Sequence, residues 1–326
     1  MNILYTCDNN YVWLMGISMI SLFENNADED EINVFLLGEG ITKENEYNLN
    51  HIAQQYAREC IVIQLEYIDI PKELYSQRWP KSAYTRLFAG QLLPSDIKKV
   101  LYIDCDTIII GNLNKLWELD NSQYIVMGVK DCISKAYKKN IGLKSDDDYI
   151  NAGVLLLNLK LLRNYNISSA ISLFLKQYEK KLSYADQDIM NYILKGQIGT
   201  LSPEYNLMTL VCMYSYEDII SLRRPINYYS KEEMTAAVHN PKIVHFTTCM
   251  RNVKPWFQKS NHPYREYFEC FKKKSPWHEK EKGTVNFNKI EDKIIKILFI
   301  MPISIRYKII GIIHGYLKPC LKKFTI

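Results

Sequence analysis

The chain has 326 residues, 47% hydrophobic and 24% charged, with 13 Gly and 11 Pro. Those proportions exclude a disordered, collagen-like or low-complexity chain, and the length suits one large domain or two ordinary ones. The net charge of +5 belongs to residues 284–326, where eight lysines and arginines face only Glu291 and Asp292, so the nearly neutral body offers no broad basic face for nucleic acid.

Asn2 to Thr6 reads as a buried strand that stops at the polar Asp8-Asn9-Asn10, a loop or helix N-cap. Apolar residues at helical spacing then predict a helix over 11–23, a strand over 32–37, a helix over 43–59 and a strand over 61–63. Strands alternating with helices in this way indicate parallel βαβ units, whose ligands bind beyond the carboxyl ends of the strands. A helix over 82–92 follows, then a strand over 99–103 that runs into Asp104-Cys105-Asp106. Further strands are predicted at 108–110, 151–157 and 243–246. The pattern is one α/β domain, 1–283, with a basic amphipathic tail, 284–326.

The eight cysteines contain no C-x-x-C pair, which argues against a zinc knuckle or disulfide framework and for reduced thiols in a cytoplasmic protein. The first residues carry no basic stretch before an apolar one, so no signal peptide is read there. The 24 tyrosines point to a surface that stacks on or hydrogen-bonds polar ligands. The longest uncharged apolar run of the tail, 297–305, is broken by Pro302 and falls short of the roughly 20 residues that span a bilayer. Interleaved Lys, Arg and Ile instead suit a helix pair lying at an anionic membrane surface, the alternative being a helix docked on the core or on a second copy.

Asp104 and Asp106 flank one residue at the end of an apolar strand, and alternate strand residues share a face. Two unpaired carboxylates there repel, and a divalent cation relieves the repulsion; oxygen ligands suit Mg²⁺ or Mn²⁺. A surface turn is the plain alternative. His245 ends another apolar strand, and a neutral imidazole as third ligand favours Mn²⁺. His51, His239, His262, His278 and His314 have no such setting and read as surface or packing residues.

Six blocks in order resemble family 8 glycosyltransferases, the retaining GT-A enzymes that include bacterial lipopolysaccharide galactosyl- and glucosyltransferases and glycogenin. They are Tyr5-Thr6-Cys7-Asp8-Asn9-Asn10-Tyr11, Arg86-Leu87, Leu101-Tyr102-Ile103-Asp104-Cys105-Asp106, Asn151-Ala152-Gly153-Val154-Leu155, Asp186-Gln187-Asp188, and His245-Phe246 with Lys254-Pro255-Trp256. The resemblance runs from Met1 to about Trp256 and implies a Rossmann-like, mixed but mainly parallel sheet flanked by helices. It also implies a UDP-sugar donor and Mn²⁺, with Mg²⁺ the alternative, held by Asp104, Asp106 and His245. Asp8 and Asn10 would take uracil and ribose, Arg86 the donor sugar or diphosphate, and Lys254 the diphosphate. Asn151 and Asp186 would bind donor-sugar hydroxyls, and Gln187 would sit beneath the anomeric carbon. Asp186 or Asp188 leaves a double displacement formally open, whereas an amide at Gln187 favours front-face attack.

The chain departs from the family pattern after the histidine. No Gly lies between His245 and Lys254, nine residues on, and Arg251 in that longer loop is a second candidate for the phosphate. Residues 129–147 match loosely; Asp131 could meet sugar there, or its charge-rich neighbours form a mobile lid. The resulting expectation is a hexosyltransferase at the cytoplasmic face of a membrane. It would move galactose or glucose from UDP to a glycan or lipid-linked acceptor in lipopolysaccharide or other surface polysaccharide synthesis. A catalytically silent UDP-sugar-binding scaffold is the alternative. A nucleotidyltransferase is disfavoured, because no Gly-rich phosphate loop follows the first strand.

Overall fold

A computed structural model of the chain describes residues 1–65, 84–249, 254–284, 297, 298 and 300–320. Ten strands are described: β1 Asn2–Asp8, β2 Asn33–Glu39, β3 Glu59–Gln64, β4 Lys99–Ile103, β5 Thr107–Ile109, β6 Val126–Lys130, β7 Ile150–Asn158, β8 Ile198–Thr200, β9 Leu207–Met208 and β10 Ile243–His245. Seven form one sheet in the order β3-β2-β1-β4-β7-β6-β8, and β5-β10-β9 form a second, small sheet. In the large sheet every neighbouring pair is parallel except those of β7, which runs antiparallel to both β4 and β6. The sheet is therefore mixed and mainly parallel, as expected.

Alternation along the strands builds two cores. Ile3, Tyr5, Val34, Leu36, Leu101 and Ile103 face the helix Val12–Asn25 and the small sheet. Leu4, Phe35, Leu37, Val100 and Tyr102 face the opposite layer, which includes the helices Leu159–Asn164, Ile167–Tyr178 and Ala185–Ile193. Strands buried on both sides must read as continuous apolar runs, which is why they were visible in the sequence.

Two predicted elements end elsewhere. The helix starting at Lys43 stops at Gln55 rather than 59, because Ala57 takes the left-handed φ of 52° and Glu59 already opens β3. Residues 82 and 83 of the predicted 82–92 helix lie outside the described residues. The remainder is a 3₁₀ turn, Thr85–Phe88, continued by the short helix Ala89–Leu92.

In the tail, the helix Ile303–Ile312 packs on the helix Tyr216–Arg223. A Cβ at Gly311 would fall 2.0 Å from the Ser221 carbonyl oxygen, so glycine permits that backbone approach. Ser134 Oγ donates to the Gly315 carbonyl at 2.9 Å, and the rings of Tyr214 and Tyr307 meet edge-on. Ile300, Ile303, Ile305, Ile312 and Leu317 remain exposed. No helix among the described residues is long and apolar enough to cross a membrane.

Candidate metal and donor site

Topology gathers the polar residues along one edge of the large sheet. β1 and β4 are parallel, with Leu4 beside Tyr102, so Asp8 ends one strand and Asp104 follows the other. β6 ends just before Asp131. Because β7 runs the other way, its start, carrying Asn151, reaches the same edge. The helix Ala185–Ile193 brings Asp186 and Gln187 in its first turn.

Asp104-Cys105-Asp106, expected to present both carboxylates by strand alternation, is instead the turn by which the chain leaves β4 for β5. The two carboxylates converge because the turn is pinned, not through strand alternation. Asp104 N–H donates to the Gly153 carbonyl at 2.7 Å, Thr107 Oγ1 to the Asp104 carbonyl at 2.9 Å, and Phe246 N–H to the Asp106 carbonyl at 2.9 Å. Antiparallel pairing of β10 with β5 sets His245 opposite Thr107 and so beside the turn. His245 Nε2 lies 3.1 Å from Asp106 Oδ1 and 3.6 Å from Asp104 Oδ2. One ligand atom from each of the three side chains falls within 4.8 Å of the others. Two hard oxygens and one imidazole nitrogen, converging from a buried His and half-buried carboxylates, fit a divalent cation.

The carboxylates also have cationic partners. Lys254 Nζ is 2.7 Å from Asp106 Oδ2, so the nine-residue spacing from His245 still delivers this lysine to the cluster. Arg86 Nη1 lies 3.0 Å from Asp104 Oδ1 and donates to the Ala152 carbonyl at 2.7 Å, while its guanidinium stacks over Tyr102. Tyr102 OH donates to Asp104 Oδ1 at 2.5 Å. Burial would lower the pKa of Arg86, but Asp104 and Asp186 outweigh it and keep the guanidinium charged. At Asp106 burial works toward protonation, and Lys254 with His245 overcomes it, holding the carboxyl well below the ordinary range.

Arg86 Nε sits 3.1 Å from Asp186 Oδ2 without hydrogen-bond alignment, and that buried oxygen has no hydrogen-bond partner among the described residues. Burial, with Asp104 adding and Arg86 opposing, raises the Asp186 carboxyl to about 6. A buried acceptor with no donor of its own is suited to a ligand hydroxyl.

Gln187 is held at both ends. Its Oε1 accepts from Asn151 Nδ2 at 3.0 Å and from Ala152 N–H at 3.1 Å, and its Nε2 donates to Asp131 Oδ2 at 2.9 Å. Asp188, by contrast, is fully buried and accepts from Tyr137 OH, Tyr149 OH, Ser183 N–H and Tyr184 N–H at 2.6–2.9 Å. Four donors occupy its oxygens, which leaves it a structural anchor rather than a nucleophile.

Asp8 and Asn10 stand apart. Asp8 Oδ1 accepts from Asn10 N–H at 2.8 Å, a local turn, and the helix begins at Val12 without a side-chain cap, so the N-cap role is not adopted. Among the described residues no bond joins this pair to the carboxylate cluster. Arg251 lies outside the described residues. The segment after Asp131 is tied down at several points: Lys138 Nζ donates to the carbonyls of Ser145, Asp147 and Ile226, and Lys130 Nζ pairs with Asp148 at 3.2 Å. His262 and His314 are packing residues, and His51, His239 and His278 are exposed. Sequence reading missed Asn206, which lies between His245 and Asn151, and the tyrosines 137 and 149, and it gave Tyr102, though part of a quoted block, no role. Tyrosines 137 and 149 carry no signal apart from tertiary neighbours, and Asn206 sits in an unremarkable Glu-Tyr-Asn-Leu stretch.

The model of glycosyl transferase family 8 matches residues 2–260, and the chain belongs to that family. General stress protein A of Bacillus subtilis is 27% identical over 286 residues, covering 85% of this chain and 95% of the relative. Lipopolysaccharide 1,2-glucosyltransferase of Escherichia coli K12 is 25% identical over 283 residues, covering 86% and 79%. Among solved structures, galactosyltransferase LgtC in complex with donor and acceptor sugar analogues superposes with a TM-score of 0.69 at 23% identity, covering 85% of this chain and 96% of that one. The fold is GT-A, and the protein is a glycosyltransferase.

Proposed function

We propose that the chain is a retaining hexosyltransferase. It moves galactose or glucose from a UDP-sugar to a glycan acceptor, in lipopolysaccharide or other surface polysaccharide synthesis. The observation that carries the reading is the meeting of Asp104, Asp106 and His245 with Lys254, Arg86, Asp186 and Gln187 at one sheet edge. The likeness to lipopolysaccharide 1,2-glucosyltransferase and to the 1,3-galactosyltransferase of Salmonella typhimurium supports the hexose and the glycan class.

Asp104, Asp106 and His245 would hold a divalent cation, Mn²⁺ ahead of Mg²⁺ for its affinity toward imidazole, which supplies charge neutralisation to the departing UDP. Lys254 would take the diphosphate as a point charge, and Asp8 and Asn10 the uracil and ribose. Asp186, steadied by Arg86, would bond a donor-sugar hydroxyl; Asn151 would do the same by giving up one of the bonds its amide makes to Asp131, Gln187, Gly153 and Asn206. The amide of Gln187 would lie beneath the anomeric carbon, where it stabilises positive charge without forming a covalent ester. The acceptor oxygen then bonds to that carbon on the face from which the UDP oxygen departs, and the acceptor proton passes to the UDP oxygen. Retention follows without a glycosyl-enzyme intermediate, and the saturation of Asp188 favours this course. The reach of Lys254 to Asp106 supports the catalytic reading over the silent-scaffold alternative, which rested on the altered loop.

The basic tail, with exposed isoleucines beside Lys308 and Lys318, fits an anionic membrane surface and a lipid-linked acceptor at its inner face. The test of the whole reading is UDP release from UDP-galactose, UDP-glucose and UDP-N-acetylglucosamine, each with Mn²⁺ and with EDTA. Metal-dependent release from one hexose donor is expected. Release from none of them, with a glycan acceptor mixture added, overturns it.

A further inference from the structure

An imidazole can bring either nitrogen to a metal, and a ring without partners has little reason to prefer one. In this chain a line of buried amides makes the choice. The backbone N–H of Gly153 donates to Asn151 Oδ1 at 2.9 Å, and a backbone N–H is only a donor, so that end of the amide is oxygen. Asn206 Nδ2 donates to the same oxygen at 2.9 Å. The other end of the Asn206 amide, its oxygen, therefore faces His245 Nδ1 at 3.0 Å, and Nδ1 must carry a proton. Nε2 is the nitrogen turned to Asp104 and Asp106.

The far end of the line agrees. Ala152 N–H fixes Gln187 Oε1 as an acceptor, which requires the NH₂ group of Asn151 to face it, the orientation that Gly153 demands independently. Asn206 is 1% exposed and His245 4%, so water has little access to replace a lost bond. Glycine at 153 is part of the same arrangement. A Cβ there would lie 2.2 Å from His245 Cε1 and 2.6 Å from Nδ1, so the bare backbone lets the ring rest against β7 at hydrogen-bonding distance from Asn206.

We infer that Asn206 is the positioning residue of the metal site. It holds His245 as an Nδ1–H donor, dedicates Nε2 to the cation, and through Asn151 ties that imidazole to the amide of Gln187. The inference rests on the metal reading proposed above, and it assigns Asn206 no contact with donor or acceptor.

The test is Mn²⁺ titration of the full chain in the presence of UDP, with free Mn²⁺ counted by electron paramagnetic resonance. Asn206→Ala leaves His245 Nδ1 without its acceptor and is expected to weaken Mn²⁺ binding by about 10–100-fold. Asn206→Asp keeps an oxygen at Nδ1 and is expected to bind Mn²⁺ within a few-fold of wild type, by the same reasoning. Its second oxygen, however, faces Asn151 Oδ1 and repels it, so kcat for UDP-sugar hydrolysis at saturating Mn²⁺ falls. A merely structural residue would lose both quantities together in both variants. Should Asn206→Ala fail to fold, judged by melting in EDTA, Gly153→Ala displaces the ring directly and is expected to weaken Mn²⁺ binding. Wild-type Mn²⁺ affinity in a folded Asn206→Ala, or in Gly153→Ala, overturns the positioning role while leaving the metal reading intact. A wild-type chain that takes up no Mn²⁺ overturns the metal reading and this inference with it.

Discussion

At Asp106 one oxygen faces the His245 imidazole and the other the Lys254 ammonium, while its backbone carbonyl separately accepts from Phe246 N–H. Asp106→Asn therefore removes a ligand charge without touching the bond that holds the turn. Metal-dependent turnover is expected to fall by at least about 100-fold in a protein that still folds, with a lowered melting temperature because Lys254 loses its carboxylate partner, and retained turnover would take Asp106 out of the metal shell. Asp186 makes a pH-dependent prediction. Burial raises its pKa from 3.8 to about 6, so between those values the folded chain holds a proton that the unfolded chain has released. Stability from that proton is present at low pH and is lost as pH rises through about 6. Asp186→Asn never ionises, so its unfolding free energy should gain on wild type by roughly 1–1.5 kcal/mol as pH rises from about 5 to about 7. Parallel melting curves for the two proteins across that range would refute the shift. Which residues meet at the candidate site was legible here, because charged and amide residues beside apolar strands are conspicuous. Their mutual satisfaction was not: no spacing in the chain announces that Asn206 bridges His245 and Asn151, or that Asp188 is consumed by two tyrosines.

At the scale of elements, the parallel strands were readable because burial on both faces leaves continuous apolar runs. The direction of β7 was not readable, since an apolar run has no polarity, yet that direction brings Asn151 to the edge that carries the candidate site. The helix over 43–59 was overextended for a local reason, the left-handed Ala57, a conformation its residue type does not signal. The tail helix carries a testable titration. Burial first, then Arg223 and Lys318, lowers the His314 pKa to about 3, so the packed ring stays neutral while an unfolded tail protonates near 6.5. The stability this contributes is complete above the unfolded value and is lost as pH falls below 6.5 toward about 3. Hydrogen exchange, corrected for intrinsic rates, should show protection of Ile303–Ile312 declining from about pH 7 to about pH 5. Substituting His314 by Gln should flatten that decline. An unchanged slope would mean that His314 is not the sensor.

For the whole molecule, charge divides the chain into a body summing to −1 and a tail of +6. The tail nevertheless buries Gly311 and Gly315 against the body, so it is docked on one side and offers cations and isoleucines on the other. Lys308→Glu with Lys318→Glu in the full chain should weaken binding to phosphatidylserine-containing vesicles on the order of 30-fold, at about 1 kcal/mol per basic residue, with UDP-sugar hydrolysis unchanged. Equal vesicle binding would confine the tail to core packing. By itself the sequence determined the layered α/β architecture, the family resemblance and the identity of the candidate ligands, because burial periodicity and short motifs are local properties of a chain. Only the tertiary structure decided how those groups meet: that a pinned turn rather than a strand aligns Asp104 with Asp106, that Lys254 reaches across its long loop, and that one antiparallel strand and one asparagine orient the histidine. Those outcomes depend on hydrogen bonds between residues as far as 148 positions apart, and no local pattern encodes such pairings.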